Sequence, residues 1–174
     1  MSIIQFEAKI YDVNGWRILR FPKHASDTLS SRGMVMIKGT INDVFLETTL
    51  EPDGAGSHWF PLNDALAEAA QIEVGDTVTL KVQQTDAWKE PDVPLDLMSP
   101  LETLNLQTQW DSLTTKARWE WIRWIRFTNN PATRQKRIET LCAMLKKGKR
   151  RPCCFDYSRC TETEVSKSGV LIDE

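Results

Sequence analysis

Between Ile3 and Asp86, apolar and polar residues alternate in short runs rich in β-branched and aromatic side chains. A period of two marks half-buried strands. The runs Ile4–Ile10, Trp16–Phe21, Val35–Lys38, Phe45–Leu50 and Thr77–Val82 are therefore predicted strands. Turn residues punctuate them: Asn14-Gly15, Gly33, Asn42-Asp43, and Pro52-Asp53-Gly54 followed by Gly56.

A near-repeat organises these strands. Ile18-Leu-Arg-Phe-Pro22 and His58-Trp-Phe-Pro61 are each followed by a short polar segment and a glycine-led strand. In the second copy Asn63-Asp64 caps a predicted helix over Ala65–Ala70, and Gly75-Asp76 leads into Thr77–Val82. In the first copy Ser26–Leu29 is the helical counterpart, followed by Arg32-Gly33-Met34 and Val35–Lys38. Two strand–helix–strand units of this kind can exchange hairpins and close one small barrel. The arrangement resembles the double-split β-barrel of AbrB-like proteins, with both halves in one chain.

After Pro91 and Pro94 the period changes to that of helices, which makes Asp86–Pro94 the expected linker. Leu95, Leu97, Met98, Leu101, Leu104 and Leu106 predict a first helix, and Thr108–Leu113 a short turn around Trp110. From Thr114 onward, Ala117, Trp121, Trp124, Ile125 and Thr128 share one helical face, with Trp119, Arg123 and Arg126 opposite. The last helix begins at Asn130-Pro131 and stops at Lys147-Gly148, with Ile138, Leu141, Cys142 and Leu145 as its apolar stripe. Arg134 borders that stripe and is expected to find a carboxylate, with Glu120 as the candidate. The fold class is thus α+β: a small double-split (swapped-hairpin) β-barrel over residues 1–90, a helical segment over 91–150 and a cysteine-containing tail over 151–174.

Charge changes this picture more than composition does. A net charge of −2 conceals a segment, Lys116–Arg151, that carries 12 Lys or Arg against Glu120 and Glu139, a local balance of +10. Such a block attracts polyanions or docks on acidic parts of its own chain. Trp119, Arg123 and Arg126, together with Lys136 and Arg137, are the candidate nucleic-acid or anion-binding residues, since cations neutralise phosphates and exposed aromatics stack on bases. Tryptophans that clamp helices beside a solvated cationic face are the structural alternative.

His58, beside the Gly54–Gly56 turn, is the candidate acid, base or anion ligand. With Arg32 and Trp88 it forms a candidate small-ligand cleft. Cys142, Cys153, Cys154 and Cys160 lack Cys-x-x-Cys spacing, so reduced thiols and no metal or cofactor are expected. A nucleophile elbow, a phosphate-binding loop, a dinucleotide fingerprint and a metalloprotease helix are all missing, which leans the reading away from an enzyme. No apolar run reaches the roughly 20 residues of a membrane span, and the start lacks a basic region followed by an apolar stretch. A cytoplasmic protein with no membrane partner is expected. A protein partner at a tryptophan hot spot is a third expectation.

Taken together, Arg32-Gly33, Gly39-Thr-Ile-Asn42, Gly54-Ala-Gly-Ser-His58, Gly75-Asp-Thr-Val78, Trp121-Ile-Arg-Trp-Ile125 and Pro131-Ala-Thr-Arg-Gln-Lys-Arg-Ile138, with Leu145-Lys-Lys-Gly148, resemble the bacteriocin-protection family described as YdeI- or OmpD-associated. The resemblance runs from about Ile3 to Arg150. It implies a protective or regulatory binding protein rather than a metabolic enzyme, and it assigns no molecular activity. The tail beyond Arg150 lies outside it.

Overall fold

The computed structural model describes residues 2–152 and 155–174. The expectations placed on Cys153 and Cys154 lie outside the described residues. The chain divides into two compact units, Met1–Ala87 with Tyr157–Cys160 and Glu164–Glu174, and Trp88–Asp156 with Thr161–Thr163. The change from strand to helix period falls at this division. The tail, expected as a separate segment, contributes to both units.

The first unit is a curled, seven-stranded antiparallel sheet, a half-barrel, in the order β1-β7-β4-β5-β6-β3-β2. Its strands are β1 (Ile4–Lys9), β2 (Tyr11–Val13), β3 (Trp16–Arg20), β4 (Val35–Ile41), β5 (Val44–Pro52), β6 (His58–Leu62) and β7 (Thr77–Thr85). The two strand–helix–strand units are β3–α1–β4 and β6–α2–β7, with α1 at Lys23–Ser26 and α2 at Asp64–Ala69. Each strand of one unit bonds its counterpart in the other, β3 to β6 and β4 to β7.

The hairpin turns Asn14-Gly15 and Asn42-Asp43 hold φ between 46° and 86°, the left-handed conformation that two-residue hairpin loops need. Asn63 caps α2 by accepting the Leu66 amide at 2.8 Å. The first-copy helix starts earlier than its predicted Ser26, because Pro22, with φ −63°, already presets the backbone for a helical turn at Lys23.

Inside the sheet, Phe6, Ile10, Leu19, Phe21, Ile37, Leu50, Phe60, Val78 and Leu80 form the main core. A second cluster forms around Trp59, where Tyr11, Val13 and Ile18 meet tail residues Cys160, Val165 and Leu171. The tail hairpin, β8 (Ser166–Lys167) with β9 (Val170–Leu171), reaches this face because Gly54 has no side chain. A Cβ there would stand 2.0 Å from the Gly169 carbonyl oxygen.

The second unit holds α3 (Leu95–Thr103), α4 (Gln107–Asp111), α5 (Thr115–Arg126) and α6 (Pro131–Lys146). The Thr114 hydroxyl caps α5, and Asn130 caps α6 by accepting from the Ala132 and Thr133 amides. Of the predicted apolar positions, Leu97, Leu101, Leu106, Trp110, Ala117, Trp121, Ile125, Ile138, Leu141, Cys142 and Leu145 are buried, Trp124 is half-buried, and Leu95, Met98 and Leu104 are exposed. Among the described residues, no helix is long and apolar enough to cross a membrane.

Candidate functional site

Most of the cations in Lys116–Arg151 already have occupations inside the second unit. Arg118 grips Glu90 at 2.5 Å and also donates to the Leu113 carbonyl. Arg126 pairs with Glu162 at 2.9 Å. Arg134 pairs with Asp96 at 2.6 Å, not with Glu120, because the first turn of α6 meets the first turn of α3. Its hydrogen bonds hold the Asp96 carboxyl below its ordinary range.

Arg137 donates to the carbonyls of Trp124 and Phe127, which the end of α5 leaves without helical partners, and stacks over the Trp124 ring. Lys116 lies 5.8 Å from the centre of the Trp88 ring. The Trp119 indole donates to the Lys89 carbonyl at 2.7 Å.

The face expected to present Trp119, Arg123 and Arg126 to solvent is not an open face. Arg123 is 0% exposed, with its guanidinium 5.5 Å from the centre of the Phe155 ring. The sequence pattern placed it opposite Trp121. The structure buries both sides of α5, since the tail segment around Phe155 and Thr161–Glu162 belongs to the same unit. Of the sequence-predicted anion-binding residues, Lys136 is exposed and Arg137 is half-buried.

Once these roles are subtracted, five of the 12 cations remain exposed and, among the described residues, without an ion pair: Lys136, Lys146, Lys147, Lys149 and Arg150. Four of them cluster where α6 stops. The stop is built from backbone. The Gly148 amide donates to the Leu145 carbonyl and the Lys149 amide to the Met144 carbonyl, both at 3.0 Å, with Gly148 at φ 78°. This is a Schellman closure, and its left-handed residue favours glycine.

Beyond it, the Trp121 indole donates to the Arg150 carbonyl at 3.0 Å, and the Arg151 guanidinium contacts the Glu120 carboxylate at 3.2 Å. Glu120 is only 4% exposed, and burial raises its pKa against the pull of Arg151, Lys116 and Arg123. The result is a basic loop held at both ends. Sequence reading had this run in view, as the stop of the last helix, but credited its charge to the whole segment. The Lys-Lys-Gly-Lys-Arg-Arg run is the signal that could have found it.

The first unit contains a different polar cluster. Ser26 and His58 are both 0% exposed, with Ser26 Oγ 2.5 Å from His58 Nδ1. His58 Nε2 lies 2.8 Å from the Gly33 carbonyl oxygen, which can only accept, so Nε2 carries the ring proton and Nδ1 accepts from the Ser26 hydroxyl. Arg32 donates to Ser26 Oγ at 3.3 Å and to the carbonyls of Ser26, Leu29 and Gly56. Burial, opposed by the Gly33 carbonyl and assisted by Arg32, holds His58 below its ordinary pKa.

A serine donating to a neutral histidine has the form of a nucleophile and base. Here the pair is sealed from solvent and ties α1, the Gly33 loop and the start of β6 together. Of the proposed cleft residues, His58 and Arg32 therefore meet at Ser26 in the first unit, while Trp88 belongs to the second. A recess of about 640 Å³ on the first unit is lined instead by Ser2, Ile3, Ile4, Leu29, Gln84 and Asp86, among others. Cys142 and Cys160 are buried free thiols, and no group of three or more metal-ligating side chains occurs among the described residues.

With this geometry in place, two family matches bear on the chain. Residues 3–82 match a domain of unknown function, DUF1905, and residues 90–148 match the family described as bacteriocin-protection, YdeI or OmpD-associated. No curated protein matches the chain. The matches support the YdeI/OmpD-associated likeness of the helical half. They give no support to a relationship between the sheet and AbrB-like barrels.

Proposed function

We propose, taking the two family likenesses as premise, that this protein is a non-enzymatic binding protein. It engages an anionic partner through the basic loop Lys146–Arg150 rather than through the Trp119–Arg126 face. The observation that carries this reading is the group of four exposed cations, Lys146, Lys147, Lys149 and Arg150, gathered on one turn and, among the described residues, free of ion pairs. Cations already paired with carboxylates gain little from a further anion, whereas free ones release counterions when they meet a polyanion. Sealing of the Ser26–His58 pair supports binding rather than catalysis. A protein that shields or sequesters a partner fits a family described by protection.

The test is titration of the full chain with a fluorescent polyanion, followed by anisotropy at several salt concentrations. Affinity is expected to fall as salt rises. In the triple variant Lys147→Ala/Lys149→Ala/Arg150→Ala, it is expected to fall further with a shallower salt slope, by about one unit for each phosphate contact removed. Salt-independent binding, or an unchanged triple variant, would overturn the reading.

A further inference from the structure

Two consecutive residues of α5 hold the end of the basic loop, Trp121 by a hydrogen bond to the Arg150 carbonyl and Glu120 by an ion pair with Arg151, the next residue. Both gripping residues are buried, at 4% and 0% exposure. If the loop acted through charge alone, a carboxylate beside it would be a handicap, since it subtracts from the field that draws an anion. A buried carboxylate is also costly to desolvate. Its place at the end of the loop is explained by geometry: with the Schellman closure at Gly148 on one side and the Glu120–Trp121 grip on the other, the span Lys147–Arg150 is fixed before any ligand arrives. Preorganised cations spend less conformational entropy on binding than cations on a free tail.

The surrounding aromatics narrow the ligand. Of the seven tryptophans, Trp59, Trp110 and Trp121 are buried and Trp16, Trp88, Trp119 and Trp124 are half-buried. Near the basic segment, Trp88 lies under Lys116, Trp124 under Arg137, and Trp119 spends its N–H on the Lys89 carbonyl. Binding of single strands relies on open aromatic faces for base stacking, and here Trp88 and Trp124 each already carry a cation over one face while Trp119 is half-buried. A compact, fixed cluster of cations suits instead the densest regular array of phosphates, which duplex nucleic acid provides with one charge per about 1.7 Å of axis.

We infer that the basic loop recognises the phosphate backbone of duplex nucleic acid, and that Glu120 and Trp121 are positioning residues that hold it in the binding conformation. The inference rests on the anion-binding reading above and sharpens it.

The experiment uses the full chain with a labelled DNA duplex, a single strand of the same length, heparin and anionic phospholipid vesicles. Wild type is expected to bind the duplex at least about tenfold tighter than the single strand at equal salt. Glu120→Gln separates the two accounts by sign: simple electrostatics predicts tighter duplex binding, whereas loss of the grip predicts weaker binding. Trp121→Phe keeps the ring and removes the N–H. It is expected to weaken duplex binding about three- to tenfold, the scale of one lost hydrogen bond, with the salt slope unchanged because every cation is still present. In both variants trypsin should cut faster after Lys149 and Arg150.

Near-ultraviolet circular dichroism establishes that each variant is folded. Should Glu120→Gln fail to fold, the Trp121→Phe result alone decides the role of the grip. Duplex affinity equal to or tighter than wild type in the folded variants overturns the positioning role. Single-strand or vesicle binding as tight as duplex binding overturns the ligand assignment while leaving anion binding intact. Failure of wild type to bind any of the four probes overturns both the anion-binding reading and this one.

Discussion

The arginines of α5 and the cations that follow α6 come from one basic segment of the sequence but do opposite work. Arg118, Arg123 and Arg126 are turned inward, onto Glu90, the Phe155 ring and Glu162. Lys146, Lys147, Lys149 and Arg150 are exposed on a closed turn and, among the described residues, take part in no ion pair. Cations are sparser along α5, four in its 12 residues against four in the five from Lys146 to Arg150, and the two stretches differ also in whether acceptors lie within hydrogen-bonding distance. Arginine suits the inward role because its planar fork satisfies several acceptors at once, while lysine, with a compact and strongly hydrated charge, suits the outward one. A basic block is therefore a fold element in one half and a surface feature in the other.

Substitutions should pull the two regions apart. The largest effect is expected from Arg123→Ala, which removes a fully buried cation from beneath Phe155 and should destabilise the second unit by about 3 kcal/mol. Urea unfolding followed by tryptophan fluorescence measures it. Polyanion affinity of the folded fraction should be unchanged, and a specific loss of binding at full stability would instead return Arg123 to the binding surface.

Next in size is a pH effect in the first unit. His58 is held below its ordinary pKa of about 6.5, so the unfolded chain takes up protons that the folded chain refuses. The stabilisation is complete above about pH 6.5 and is lost as pH falls below that value toward the lower folded pKa. Urea midpoints across this range should decline for wild type and decline less for His58→Gln. His24, the only other histidine, is exposed and unchanged in both proteins. Equal declines in the two proteins would remove His58 as the cause.

Smaller still is Arg134→Ala, which breaks a half-exposed pair with Asp96 and is expected to cost about 0.5 kcal/mol. Smallest of all should be the stability change in Lys147→Ala/Lys149→Ala/Arg150→Ala, within about 0.5 kcal/mol, although the same variant should lose anion affinity. A large destabilisation there would make the loop part of the fold after all.

Much of this architecture was legible in the chain. Strand and helix periods, the Asn63 and Asn130 caps, the hairpin turns at Asn14-Gly15 and Asn42-Asp43, and the α6 stripe from Ile138 to Leu145 are local signals, fixed by spacing and backbone preference within a few residues. The near-repeat around Phe21-Pro22 and Phe60-Pro61 also carried the exchange of strands between two units, because each copy contains its own strand, turn of helix and strand.

What only the tertiary structure decided was the fate of each charge. A helical wheel places Arg123 opposite Trp121 and labels that side polar. It cannot contain Phe155 or Glu162, more than 30 residues later, which pack on Arg123 and Arg126. Arg134 could be assigned a carboxylate but not Asp96 in particular, and His58 could be flagged without its partners Ser26 and Gly33. Secondary structure mostly follows from neighbours in sequence, and the sequence by itself determined all but the short β2, the tail hairpin and the placing of α1. Whether a cation is a rivet or a contact depends on distant neighbours in space, through the steep dependence of hydrogen bonding and desolvation on distance, and the fold alone supplied them.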